Sequence, residues 1–236
     1  MPMRQNSKRV YWLLGAASIP FLVKISVLSL GVSGYLLQSL YKVFQLIVPG
    51  VWRYRDGKTG ARIVWPTDEP HPSAVLWIMA TLIALVLSLS AIIALQLLIP
   101  LFYLDPATLR RGLDARFAVG PVGAVAVVVF LSFLNSALEE LHFRVWLDRE
   151  LSRSTGDAIG IITSASLFGL MHGLIFLGLP DVPTSLIPLA IIGLAIGGIC
   201  WSLLLRKSGG IYAAWWSHGL TDALLLGWGL HWLGYL

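Results

Sequence analysis

Two adjacent glutamates and an arginine, Glu139, Glu140 and Arg144, close an apolar stretch in the run LEELHFRVWL. Carboxylate and guanidinium groups are costly in lipid unless they face a cavity or one another, so such a cluster marks a functional site by default. On an α-helix Glu140 and Arg144 stand about one turn apart and can pair, while Glu139 points about 100° away. One glutamate is then held by the arginine, and the other is left for proton transfer. Further along, SLFGLMHGL carries His172 one turn after Phe168, and WWSHGLTDALL carries His218 and Asp222 on one face of a helix. Glu139, His172, His218 and Asp222 can therefore meet in one buried cavity between three helices.

The elements that position these residues must cross a membrane. The chain has 236 residues, 57% hydrophobic and 12% charged, and a mean hydropathy of +0.79; that charged fraction is about half the usual one for a soluble domain. Its apolar runs are continuous rather than alternating, which argues for helices over a transmembrane barrel and predicts an all-α polytopic bundle of roughly six to eight transmembrane helices around a polar active-site cavity. Stretches 74–102, 117–147, 158–179, 184–205 and 210–234 are long enough to span. Ahead of them, a basic start leads into an apolar run interrupted only by Lys24 and Lys42. It reads as an uncleaved anchor, either one span with an interfacial helix or two spans turning near Lys24.

Two regions follow from this pattern. Residues 1–115 form an N-terminal membrane region with a polar connection at 51–72, broken by Pro66, Pro70 and Pro72. Residues 116–236 form the catalytic core. The net charge of +5 is read as loop charge that sets orientation, and no motif points to nucleic acid. Arg149, Arg153, Arg206 and Lys207 are expected on the cytoplasmic side, with Asp181 and Leu236 opposite; Arg110, Arg111 and Arg116 then break the rule once. Cys200 has no partner for an internal disulfide. His71 is read as exposed, His231 as part of an interfacial belt with Trp228 and Trp232, and His142 as a supporting or interfacial residue.

Glu-Glu-x-x-x-Arg at 139–144, Phe-x-x-x-His at 168–172 and His-x-x-x-Asp at 218–222, in that order on successive helices, resemble the CPBP family of intramembrane proteases. That family includes the CAAX prenyl endopeptidases and many bacterial proteins linked to bacteriocin immunity. The resemblance covers about 138–225 and is carried by three motifs in order, each weak alone. It implies an endopeptidase embedded in a prokaryotic cell membrane. The bond cut is a peptide bond of a membrane-associated, lipidated or C-terminally tagged protein, and Glu139 is the principal catalytic residue.

In this reading Glu139 activates water with His172, His218 faces the oxyanion, and Glu140 with Arg144 orders the site. The typical residue at position 222 is Asn in the prenyl-endopeptidase branch, and an ionised Asp222 cannot donate to an oxyanion. Asp222 is expected to orient His218 or to bind a metal. Glu139, His172, His218 and Asp222 would form the ligand set for one divalent ion, zinc first, with a metal-free glutamate mechanism as the alternative. A noncatalytic membrane scaffold and a small proton-coupled transporter are the competing classes; neither transporter-like repeat symmetry nor decay of the polar residues is visible in the sequence.

Overall fold

The computed structural model describes residues 2–30, 39–117, 120–177 and 182–236, and all regular structure in them is helical. In chain order the helices are α1 (Pro2–Ser29), α2 (Tyr41–Arg55), the single turn α3 (Ala61–Val64), α4 (Ala74–Leu101), α5 (Pro106–Phe117), α6 (Pro121–Thr155), α7 (Asp157–Phe176), α8 (Leu186–Ser208) and α9 (Ile211–Trp232). By length and apolar composition, Arg9–Val27, Ala74–Leu101, Pro121–Thr155 and Leu186–Ser208 can each cross a membrane. At 20 and 22 residues, α7 and α9 are also about 30 Å long.

Local sequence explains where these helices begin and end. Pro72 precedes α4, and the Ser73 hydroxyl caps it by accepting from the Leu76 amide at 3.4 Å. Pro121 occupies the first turn of α6, where its missing N–H costs nothing. Gly156 ends α6 at φ +91°, a conformation a side chain resists, and α7 starts at the next residue. The Asp105 carboxylate caps α5 through the Thr108 amide at 2.9 Å, and the Thr108 hydroxyl with that amide holds its carboxyl below the usual range.

The expected span at 117–147 is thus longer, and the loop expected at 148–157 is helical except at Gly156. Near the N-terminus, Lys24 lies inside α1 and is buried, so the chain does not turn there. Residues 31–38 and Asp181 lie outside the described residues.

Packing separates lipid-facing from protein-facing sides. α4 buries only a stripe of small residues, Ala80, Ala84 and Ser88, against α9, where small side chains let backbones approach. Its Val75, Ile78, Leu82, Val86, Leu89 and Leu97 are exposed, an apolar belt suited to a bilayer rather than to water. α6 is the axial helix: every side chain from Glu140 to Asp148 is buried.

Ion pairs show which helix ends share a face. Arg9 pairs with Glu150, Arg149 with Glu69, and Arg206 with both Asp148 and Asp157. Glu69 also accepts from the Ile211 amide at 2.8 Å. These contacts gather the start of α1, the connection before α4, the α6–α7 junction and the α8–α9 junction at one end. At the other end Tyr235 donates to Asp114 and Arg110 to the Gly234 carbonyl. The helices therefore run alternately through the bundle.

Candidate active site

The site is built where α6 departs from α-helical geometry. Leu131–Asn135 and Glu140–Asp148 are π-helical, flanking a short α-helical segment at Ser136–Glu139. Such wider turns are rare and frequent at functional sites, because they re-aim side chains that an α-helix would spread apart. Here they present both Glu139 and Glu140 inward, with 1% and 0% of their surfaces exposed.

Glu139 is the hub. Its Oε1 accepts from Asn135 Nδ2 at 2.9 Å and lies 3.6 Å from His172 Nε2. Its Oε2 lies 3.6 Å from His218 Nε2 and has no hydrogen-bond partner among the described residues. Asn135 stands four residues before Glu139, and its Oδ1 accepts from the Lys42 ammonium of α2.

Each histidine is oriented through its other nitrogen. His172 Nδ1 lies 2.9 Å from the Phe168 carbonyl, which can only accept, so Nδ1 carries the proton and the Nε2 lone pair of the neutral ring faces Glu139. His218 Nδ1 donates to Glu140 Oε1 at 2.8 Å, and its ring stacks on Trp201 with centroids 3.8 Å apart. Asp222 Oδ2 lies 3.7 Å from His218 Nε2. His172 and Asp222 are the accessible members, with side chains 19% and 23% exposed. The opening into the site is on their side.

Arg144 supports Glu140 from beneath. Its Nε lies 3.6 Å from Glu140 Oε1, both side chains are fully buried, and the guanidinium rests 4.3 Å over the Phe168 ring and 5.2 Å from that of Trp201. Gly198 leaves room for it: a Cβ there would stand 2.9 Å from Arg144 Nη2.

All the residues expected from the motifs converge, with one change of partners. Glu140, rather than Asp222, holds His218 Nδ1; Asp222 faces the same Nε2 that Glu139 faces. His142 is neither interfacial nor near water, being fully buried against Phe143 and Trp146. His71 and His231 are exposed. Sequence reasoning missed Asn135, Lys42 and Trp201. The first two left a signal, an amide four residues before Glu139 and a lysine inside an apolar run.

Residues 121–224 match the family model of the Rce1-like type II CAAX prenyl endopeptidases. The resemblance read from the motifs is borne out over this segment, which holds every residue from Glu139 to Asp222 and ends inside α9. No curated protein and no solved structure matches the chain. The family and the membrane-crossing helices fit a peptidase acting on a peptide substrate at the bilayer.

The donors also allow a test of the metal reading. Among the described residues no group of three or more His, Cys, Asp or Glu side chains is arranged to hold a metal ion. As placed, Glu139, His172, His218 and Asp222 do not close around one.

Proposed function

We propose that the protein is an intramembrane endopeptidase of CAAX-protease type that hydrolyses a peptide bond of a membrane-associated, lipidated or C-terminally tagged protein. The observation that carries this reading is the convergence of two histidine Nε2 atoms, each fixed through its Nδ1, on the two oxygens of one buried carboxylate.

Two acceptors 3.6 Å apart, Glu139 Oε1 and His172 Nε2, suit a water that donates one proton to each and turns its oxygen lone pair outward. As that oxygen bonds to the scissile carbonyl carbon, one proton passes to Glu139. The carbonyl π electrons become the oxyanion. His218, when both nitrogens carry protons, presents Nε2–H to it while Glu140 holds Nδ1, and electrostatic stabilisation of this kind contributes strongly to acyl-transfer rates. Collapse breaks the C–N bond, and the proton held by Glu139 goes to the departing amine. The products are a carboxylic acid and an amine, and transfer of the remaining water proton from the acid to the amine leaves a carboxylate and an ammonium.

Asp222 stands where it can align His218 but, ionised, cannot itself donate to the oxyanion. Packing of the histidine rings on Phe168 and Trp201 limits competing solvent.

In membranes, Glu139→Ala should leave the protein inserted while its substrate accumulates uncleaved. Comparing the membrane proteome of that variant with wild type identifies the substrate as a protein whose cleaved form disappears. An unchanged proteome, with Glu139→Ala at wild-type abundance, would argue for the scaffold reading.

A further inference from the structure

Lys42 lies near the start of α2, which packs antiparallel to α1 as an N-terminal hairpin, outside the segment that matches the peptidase family. It is 7% exposed, far along α2 from the end gathered by the ion pairs. A lysine at such depth is costly and persists where it has a task and a partner. Its partner is Asn135 Oδ1, and its ammonium also sits 4.9 Å over the Tyr41 ring and 6.0 Å from that of Phe130.

The chemistry of the three groups is directional. An ammonium has only donors, so the amide turns its oxygen towards Lys42, and the Asn135 NH2 is left facing Glu139 Oε1 at 2.9 Å. Without the cation, the amide could turn over and present its oxygen to the carboxylate, replacing a hydrogen bond by repulsion. With the cation in place, the amide fixes Oε1 through one lone pair of that oxygen and leaves the other towards the water shared with His172 Nε2, 3.6 Å away.

We propose that Lys42 is a positioning residue for the reaction: through Asn135 it sets the orientation of the Glu139 carboxylate, so the N-terminal hairpin is a working part of the site. Gln45, one turn on, supports the same docking of α2, since its Nε2 contacts Met171 Sδ at 3.6 Å beside His172. The proposal rests on Glu139 being the reacting carboxylate, and its first test is independent of any substrate.

The test is infrared difference spectroscopy of the purified full chain, with the Glu139 carboxyl band assigned as the one lost in Glu139→Gln. Lys42→Met and Asn135→Leu should shift that band similarly. Lys42→Arg, which keeps a donor-only cation, should leave it in place, and the double variant Lys42→Met with Asn135→Leu should shift it no further, as expected of residues acting in series. With a cleavable substrate, Lys42→Met should lower kcat by about 10–100-fold, the usual loss for a supporting contact, while KM changes by less than about twofold and Lys42→Arg restores most of kcat. Should Lys42→Met fail to accumulate, Lys42→Gln carries the same expectation of a shifted band. A band unmoved by the folded variant overturns the proposal. Wild-type protein that cleaves nothing, with the band responding as described, overturns the peptidase reading and leaves the positioning of Glu139 intact.

Discussion

At Arg144 a fully buried cation is held by one carboxylate and the faces of aromatic rings, and none of its nitrogens has a hydrogen-bond partner among the described residues. Removing it strands Glu140, and breaking a buried pair on one side costs about 3–5 kcal/mol. Arg144→Ala should therefore reduce both folded abundance and activity, measured by quantitative blotting of membranes beside a cleavage assay; normal abundance would show the pair to be dispensable for folding. Asp222 poses a different question. Asp222→Asn keeps shape and supplies a donor near His218 Nε2, so the side-chain mechanism predicts activity that is retained or raised and is insensitive to chelators. Loss of activity restored by added zinc would instead establish a metal site. These roles were only partly legible in the sequence. The spacing of Glu140 and Arg144 announced their pairing, but which carboxylate would reach His218 Nδ1 depends on how α6 and α9 pack, and no spacing within one helix reports that.

Helix α6 shows how an element can be predicted in kind and missed in detail. Its apolar length marks it as a span, yet its two π-helical segments leave no trace in residue type, because a widened turn is settled by what the side chains meet across the bundle. The same holds for the approach of α9. A Cβ on Gly219 would stand 2.3 Å from the Ser132 carbonyl oxygen of α6, so only glycine permits this contact beside His218. Gly219→Ala should push the two helices apart, withdraw His218 from Glu139 and Glu140, and lower activity at least tenfold while membrane insertion persists. Overpacking typically costs about 1–3 kcal/mol, so thermal unfolding in detergent should also begin earlier. Wild-type kinetics in this variant would mean that the close approach is not required.

Across the whole molecule, hydropathy and composition sufficed for an all-α membrane bundle, since solvent choice is a property of the entire surface. The N-terminal hairpin was harder to interpret. Lys24 looked like a turn only because a buried lysine is unexpected within a helix, whereas it packs 5.2 Å over the Tyr41 ring. Ion pairs place Arg9, Lys58, Arg149, Arg153 and Arg206 at one end of the bundle; the run of α4 and the contact of Arg110 with the Gly234 carbonyl place Tyr103 and Leu236 at the other. Loop charge predicts that the first end is cytoplasmic. In a Cys200→Ser background, cysteines at Thr155 and Lys58 should react only with reagent that reaches the cytoplasm, and one at Tyr103 with impermeant reagent outside. The reverse pattern would invert the orientation.

The proposed mechanism has Glu139 and His172 activate the attacking water together. Its most direct test is single-turnover cleavage of the captured substrate by purified Glu139→Gln, His172→Ala and the double variant. Losing a general base costs about 10²–10⁴-fold, and groups that act as a unit are strongly non-additive. A loss of that size is expected in each single variant and little further loss in the double one, with helical content unchanged. More than about a tenth of wild-type activity in Glu139→Gln would contradict this mechanism, since among the described residues no other carboxylate is placed between both histidines.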